Sequence, residues 1–218
     1  MKKKSLYQSV LVAALLLAAG WSGLVYSIGN EALFMFINSN WTPSLGQPAR
    51  FFSLLGESWA MGMALIISLR LPFRSTLLIG LTWLSGALHS WLFKLWLCRG
   101  WPRPFEFYQQ KQQVLNLVDG VKVHHWNTFP SGHTITAISL AVILPLIFPA
   151  LRRWQAAMLL LTALLCGLSR ILLVQHWPQD VLGGMLLGCS AAFLAIRITA
   201  RMPSKTWLEK SLISRFRR

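Results

Sequence analysis

The sequence predicts an all-α integral membrane protein, a bundle of six transmembrane helices with interfacial helices between the first and second spans. Three observations carry this. The 218 residues are 55% apolar and only 12% charged, about half the charged fraction of a soluble domain. Long uncharged runs recur at the length of about 20 residues that a bilayer crossing needs. Eleven tryptophans are present, and tryptophan collects at membrane–water interfaces. One membrane domain spanning 1–218, with a basic cytoplasmic tail from about residue 201, is the economical organisation.

Lys2-Lys3-Lys4 precede an apolar run from about Tyr7 to Ile28. The run is long enough to span, and no small-residue cleavage site leads into a polar start, so an uncleaved first helix is favoured over a signal peptide. Asn30 to Glu57 holds two apolar stretches too short to span, broken by Pro43, Gly46 and Pro48. Such segments suit interfacial helices, with Trp41 as an anchor. A second span follows from about Ser58 to Leu71, with a start as early as Phe52 also open, and Pro72 closes it. The third runs from about Ser75 to Cys98, with His89 and Lys94 toward its far end. Arg99 to Thr128 reads as a polar loop. The fourth span is expected from Ser131 to Phe148, the fifth from Ala156 to Val174 and the sixth from the corner Gln175–Gln179 to about Ile198. The tail from Arg201 reads either as an amphipathic helix on anionic lipid or as a solvated basic tail.

With the N-terminus inside, inner segments carry twice as many lysines and arginines as outer ones, the direction of the positive-inside bias. The net charge of +15 is spread over short loops and the tail in the same way. That distribution argues against nucleic acid as a partner. Cys98, Cys166 and Cys189 have neither disulfide nor metal-ligand spacing and read as packing residues.

All polar candidates fall on the outer face. His133 and His176 lie 43 residues apart, two crossings and a turn, so a helical hairpin returns both to one side. Lys94, Arg103 and Arg170 reach the same side, and three cations gathered there call for an anion with several oxygens. Ser131 and Gly132 open the fourth helix, where free amides and the positive dipole end suit phosphate. A plain N-cap serine and helix-start glycine explain them equally on local grounds. Trp177-Pro178-Gln179-Asp180 reads as a helix start with an acid in its first turn. Asp180 can also orient the imidazole of His176 and make its other nitrogen a better nucleophile. Jointly these residues suggest phosphoryl transfer through a phosphohistidine: His176 attacks, Asp180 orients it, His133 serves as acid and then base, and the cations and amides hold the equatorial oxygens. No metal or cofactor is required, because clustered carboxylates are lacking.

Phe129-Pro130-Ser131-Gly132-His133, and Ser169-Arg170 with His176 and Asp180 following at fixed spacing, resemble the second and third signatures of the type 2 phosphatidic acid phosphatase superfamily. These are membrane lipid phosphatases that share their site with vanadium haloperoxidases. The resemblance implies His176 as nucleophile, His133 as acid/base, Asp180 as support, and Arg103, Ser131, Gly132 and Arg170 as phosphate binders. The first signature, a lysine, six residues and Arg-Pro, is matched by Lys94 with eight residues before Arg103-Pro104. Either the loop at Gly100-Trp101 bulges, or Arg99 takes the lysine's place. His89, His124, His125, Glu106, Asp119 and Lys111 carry no spacing that demands a role.

The expected protein is a multi-pass lipid phosphatase of a bacterial inner membrane, with both termini cytoplasmic and the site on the periplasmic or extracellular side. Its expected partners are the bilayer and a membrane lipid phosphate, with no obligate protein partner. Undecaprenyl diphosphate, phosphatidic acid and phosphatidylglycerol phosphate are candidate substrates. A lipid A phosphatase or phosphotransferase is the alternative with the same site. An anion-binding membrane protein without turnover and a metal-dependent hydrolase using His176 and Asp180 are the competing classes.

Overall fold

The computed structural model describes residues 5–203 and 205–215. Lys2, Lys3 and Lys4, part of the orientation count, lie outside them, as do Ser204 and the last three residues. Among the described residues the chain is helical, with two isolated bridges and no strand.

Helix α1 (Leu6–Ile28) is an apolar rod that buries only the line Val10, Ala14 and Ala18. This narrow small-residue face packs on α7 and α9. Gly29, at φ 88°, turns the chain directly into α2 (Asn30–Ser39), a conformation glycine adopts without steric cost. A short 3₁₀ turn, Pro43–Leu45, leads into α3 (Gly46–Leu54), and a break precedes α4 (Ser58–Ser68). The expected interfacial region is thus helical, but its second half leads into the next helix: Pro43–Leu54 and Ser58–Ser68 meet at a bend of 43°, the shape of a broken span or a re-entrant loop. The break lies at Gly56, which packs so closely that a Cβ there would collide with Cys166 Sγ and fall 2.7 Å from the His133 carbonyl oxygen.

Helix α5 (Phe73–Leu92) loosens into a π turn over Phe93–Leu97. The loop expected from Arg99 to Thr128 contains a short helix, α6 (Pro104–Gln110), started by Pro104 at its first position. Helix α7 (Gly132–Ile147) is capped by Ser131, whose Oγ accepts from Thr134 N. Helices α8 (Arg153–Leu172) and α9 (Pro178–Arg201) lie within a few residues of their expected bounds. Among the described residues four helices, α1, α5 with its π turn, α8 and α9, are long and apolar enough to cross a membrane, or five if the bent pair is one span. Helix α7 is apolar but only 16 residues long.

The core is α7 held between α8 and α9, with α5 against α9. Glycines bring these axes together: a Cβ at Gly184 would lie 2.6 Å from Thr134 Cβ, and one at Gly188 2.9 Å from the Ile135 carbonyl. Without a hydrophobic drive between helices in lipid, such small-residue contacts supply the packing. The tail differs from both expectations. Leu208 is buried, Phe73 N and Arg74 N donate to the carbonyls of Lys210 and Leu208, and Arg74 pairs with Glu209 at 3.0 Å. Residues 205–211 therefore fold back onto the start of α5. Among the described residues after α9, only Leu212–Arg215, α10, is helical.

Candidate active site

The corner between α8 and α9 is built by its backbone. Val174 N donates to the Ile171 carbonyl at 2.9 Å and Gln175 N to that of Arg170 at 2.9 Å. This double closure places the residue after the cap in the left-handed region, and Val174 sits there at φ 57°, where a β-branched residue is strained. His176 N also donates to the Arg170 carbonyl, at 3.1 Å, so the imidazole starts next to the end of α8. Trp177 locks the corner by donating its indole N–H to the Pro102 carbonyl at 2.9 Å. Trp21 does the same to Pro178 from α1.

His176 and Asp180 are almost fully buried. Asp180 Oδ2 accepts from Trp177 N at 2.8 Å, from His176 Nδ1 at 3.3 Å and from the hydroxyl of Thr128. Asp180 is therefore at once the acid of a helix start and the partner of the histidine. Arg103 Nη1 lies 3.5 Å from His176 Nε2. A guanidinium only donates, so Nε2 carries the lone pair and Nδ1 the proton. Burial first, then the charges of Arg103, Arg170, Lys94 and His133, hold the His176 imidazole well below its ordinary range. Its contact with Asp180 is thus a hydrogen bond from a neutral ring rather than an ion pair.

Arg103 is held from three sides: its backbone N donates to the His125 carbonyl at 2.8 Å, Nε to that of Trp126 at 3.0 Å and Nη1 to that of Gln175 at 2.7 Å. Arg170, also buried, donates from Nη1 to the hydroxyl of Ser53 on α3. Lys94 projects from the π turn toward α7: a Cβ on Gly132 would lie 4.0 Å from its Nζ and 3.9 Å from Ser90 Oγ. The π turn, closed by Cys98 N to the Phe93 carbonyl at 2.7 Å, takes up an extra residue. Gly100, at φ 77°, then reverses the chain. Arg99, by contrast, is exposed. Among the described residues, none of Lys94, Arg103 and Arg170 pairs with a carboxylate.

The sequence candidates cluster around His176: Asp180 and Arg103 touch it, and Arg170, Lys94 and His133 are near enough for their charges to act on it. Ser131 is buried, with its Oγ accepting from Thr134 Oγ1 at 2.8 Å, so the cap reading holds locally. Gly132 and His133 are half-buried and line a cavity of about 810 Å³ that also contains Glu57, Ser90 and Lys94. Sequence reasoning missed Ser53 and Thr128, neither of which lies in a motif. His125 donates to Glu106 at 2.6 Å in the loop behind Arg103, which holds the Glu106 carboxyl below its usual range.

A histidine–aspartate pair with three cations and a helix N-terminus close by is an arrangement suited to an anion with several oxygens. The chain belongs to the PAP2 superfamily, whose profile matches residues 74–203. It is 28% identical over 180 residues to an undecaprenyl-diphosphatase of Sulfolobus acidocaldarius, covering 81% of each chain. Over 84 residues it is 34% identical to phosphatidylglycerophosphatase B of Escherichia coli, a match spanning 36% of this chain and 33% of that one. Among solved structures it resembles LpxE of Aquifex aeolicus, with a TM-score of 0.65 and 26% identity over 77% of this chain and 94% of that one. The fold also matches a PAP2-type phosphatidylglycerolphosphate phosphatase of Bacillus subtilis, with a TM-score of 0.54 and 21% identity over 90% of this chain and 97% of that one. The relatives named are phosphatases, hydrolases of phosphate esters or anhydrides.

Proposed function

We propose that this protein hydrolyses a phosphate or diphosphate carried by a membrane lipid, without a metal, through a phosphohistidine on His176. The observation that carries the lipid part is the cavity beside the site. From Lys94 and His133 it follows α5 and α7 down to Thr82 and Ser139. On α5 that is twelve residues of helix, roughly 18 Å along the axis. A head group held at the cations thus has room for an apolar chain beside it, within the apolar helices.

His176 Nε2 attacks phosphorus in line, forming an N–P bond as the P–O bond to the lipid breaks. The proton of a protonated His133 goes to the departing lipid oxygen. Water then attacks the phosphohistidine, His133 takes a proton from it, the N–P bond breaks and inorganic phosphate leaves. Lys94, Arg103, Arg170 and the amides at the start of α7 stabilise the equatorial oxygens, and Ser131 still has a hydroxyl proton to donate. The three cations also support metal independence, since they oppose a divalent ion beside them.

The reading includes six crossings, with α7 and the bent α3–α4 pair counted as spans, α2 lying at the interface, the whole chain as one domain and no obligate protein partner. It sets both termini in the cytoplasm of a bacterial inner membrane and the pocket on the opposite face, supported by the distribution of basic residues. The similarity to the undecaprenyl-diphosphatase and to phosphatidylglycerophosphatase B supports an isoprenoid diphosphate or a phospholipid monophosphate. A 37% identity over 62 residues to a lipid A 1-phosphatase of Porphyromonas gingivalis, 28% of this chain and 14% of that one, keeps lipid A as the alternative.

The test is a phosphate-release panel with purified protein on undecaprenyl diphosphate, phosphatidic acid, phosphatidylglycerol phosphate and lipid A. Turnover on at least one substrate should survive chelator, stop with vanadate and drop by about 10⁴-fold or more in His176→Ala. Equal release by wild type and His176→Ala sinks the catalytic reading, and loss of turnover with chelator sinks metal independence.

A further inference from the structure

Asp180 Oδ2 collects three donors, whereas its Oδ1 has no hydrogen-bond partner among the described residues. Two of the donors, Trp177 N and His176 Nδ1, come from the same corner. The third, the hydroxyl of Thr128, comes from across the fold, 52 residues away. Thr128 is itself almost fully buried and anchored by its backbone. Its N–H donates to the Trp101 carbonyl at 3.4 Å, and Pro102 and Trp126 form an antiparallel bridge beside it. On its other side the Phe129 ring packs where a Cβ at Gly183 would collide with it, so the hydroxyl is set by the close contact of α9 with this segment. The same strip, 101–103, carries Arg103, and Ser131 N donates to the Asp180 backbone carbonyl at 3.0 Å.

Building on the phosphohistidine reading, we infer that Thr128 is a positioning residue for the nucleophile. It fixes the rotation of the Asp180 carboxylate and so aims His176 Nε2 at the phosphorus held by Arg103. The physical need is specific. The final torsion of an aspartate is soft, and the His176–Asp180 contact, at 3.3 Å, is too long to set it unaided. Trp177 N grips Oδ2 from the helix start only. The Thr128 hydroxyl adds the second direction that defines the carboxylate plane. It also ties the nucleophile to the arginine strip, so the two sides of the in-line geometry share one hydrogen-bonded frame.

The experiment compares wild type, Thr128→Val, Thr128→Ser and His176→Ala in detergent, with dioctanoyl phosphatidic acid as the probe. The valine variant keeps the shape and removes the hydroxyl. Its kcat should fall about 10- to 100-fold, the scale for losing a partner behind a functional histidine. KM should stay within about 3-fold, because the cations that bind phosphate are untouched. Thr128→Ser should restore kcat to within a few fold of wild type. A valine variant as fast as wild type, or a serine variant no better than valine, overturns the inference. If Thr128→Val does not yield a monodisperse protein, Thr128→Ala replaces it, and equal kcat for the alanine and serine variants overturns the inference. His176→Ala separates the two layers. If it is inactive while the threonine variants run at full speed, only the role of Thr128 falls. If it is active, the phosphohistidine reading falls first.

Discussion

The two walls of the pocket are built differently. On one side, α8, the corner and α9 hold Arg170, His176 and Asp180 in a well-packed part of the molecule, with more than half of α9 buried. On the other side, Lys94 stands on a π turn at the end of α5, most of which is not buried, and faces the long cavity. A nucleophile must be held within a fraction of an ångström of its line of attack, since a misplacement of about 1 Å costs about 10²-fold in rate. On the proposed reading the other wall admits the lipid and has to let chains of different shape enter. Rigidity and latitude are then divided between two walls that meet at the proposed phosphate site.

The division is broken most severely at Gly184. A Cβ there would lie 2.6 Å from Thr134 Cβ and 2.8 Å from the Ser131 carbonyl oxygen, so Gly184→Val must lever the start of α7 off α9. Overpacking of this kind costs about 1–3 kcal/mol or more. It also separates Ser131, Gly132 and His133 from His176. We expect a clear drop in melting temperature in detergent and turnover reduced by more than about 100-fold. A variant with wild-type melting and turnover would show that the packed wall tolerates displacement.

The looser wall is tested by pairing Lys94→Ala with Arg99→Ala. Removing a donor to the equatorial oxygens costs about 10²- to 10³-fold in kcat, whereas exposed Arg99 should change turnover by less than about 3-fold. The reverse ranking would mean that Arg99 fills the first-signature role and that the π turn serves another purpose.

A smaller effect sharpens the electrostatics of the packed wall. His176 stays neutral in the folded protein, while in the unfolded chain it takes up a proton near about pH 6.5. The unfolded state therefore binds more protons below that value, and stability falls as pH is lowered through it. The melting temperature should decline between about pH 7 and about pH 5, with a shallower slope in His176→Asn. An unchanged slope in that variant would show that the ring is already charged when folded.

Much of this was legible in the chain. Helix positions followed from hydropathy, and the bounds of α8 and α9 moved by only a few residues. The return of His133 and His176 to one end followed from a hairpin of two apolar helices, α7 and α8, a constraint of length that needs no knowledge of packing. Asp180 carried its dual reading on its face, because helix-start chemistry is local. The break at Gly56, the helix inside the Arg99–Thr128 loop and the fold-back of residues 205–211 onto α5 were not legible. Each depends on what a segment packs against rather than on its own pattern.

By itself the sequence determined the ingredients of the candidate site: an apolar helical chain, three cations, and a histidine–aspartate pair at a helix start, all encoded in residue type and short spacing. The tertiary structure alone decided how that chemistry is aimed. Ser53 meets Arg170 across 117 residues and Thr128 meets Asp180 across 52, and a lone serine or threonine hydroxyl has no periodicity or spacing to announce such a partner. The π turn at Lys94 belongs to the same class, because nothing in the pattern of Phe93–Leu97 distinguishes it from continued α-helix.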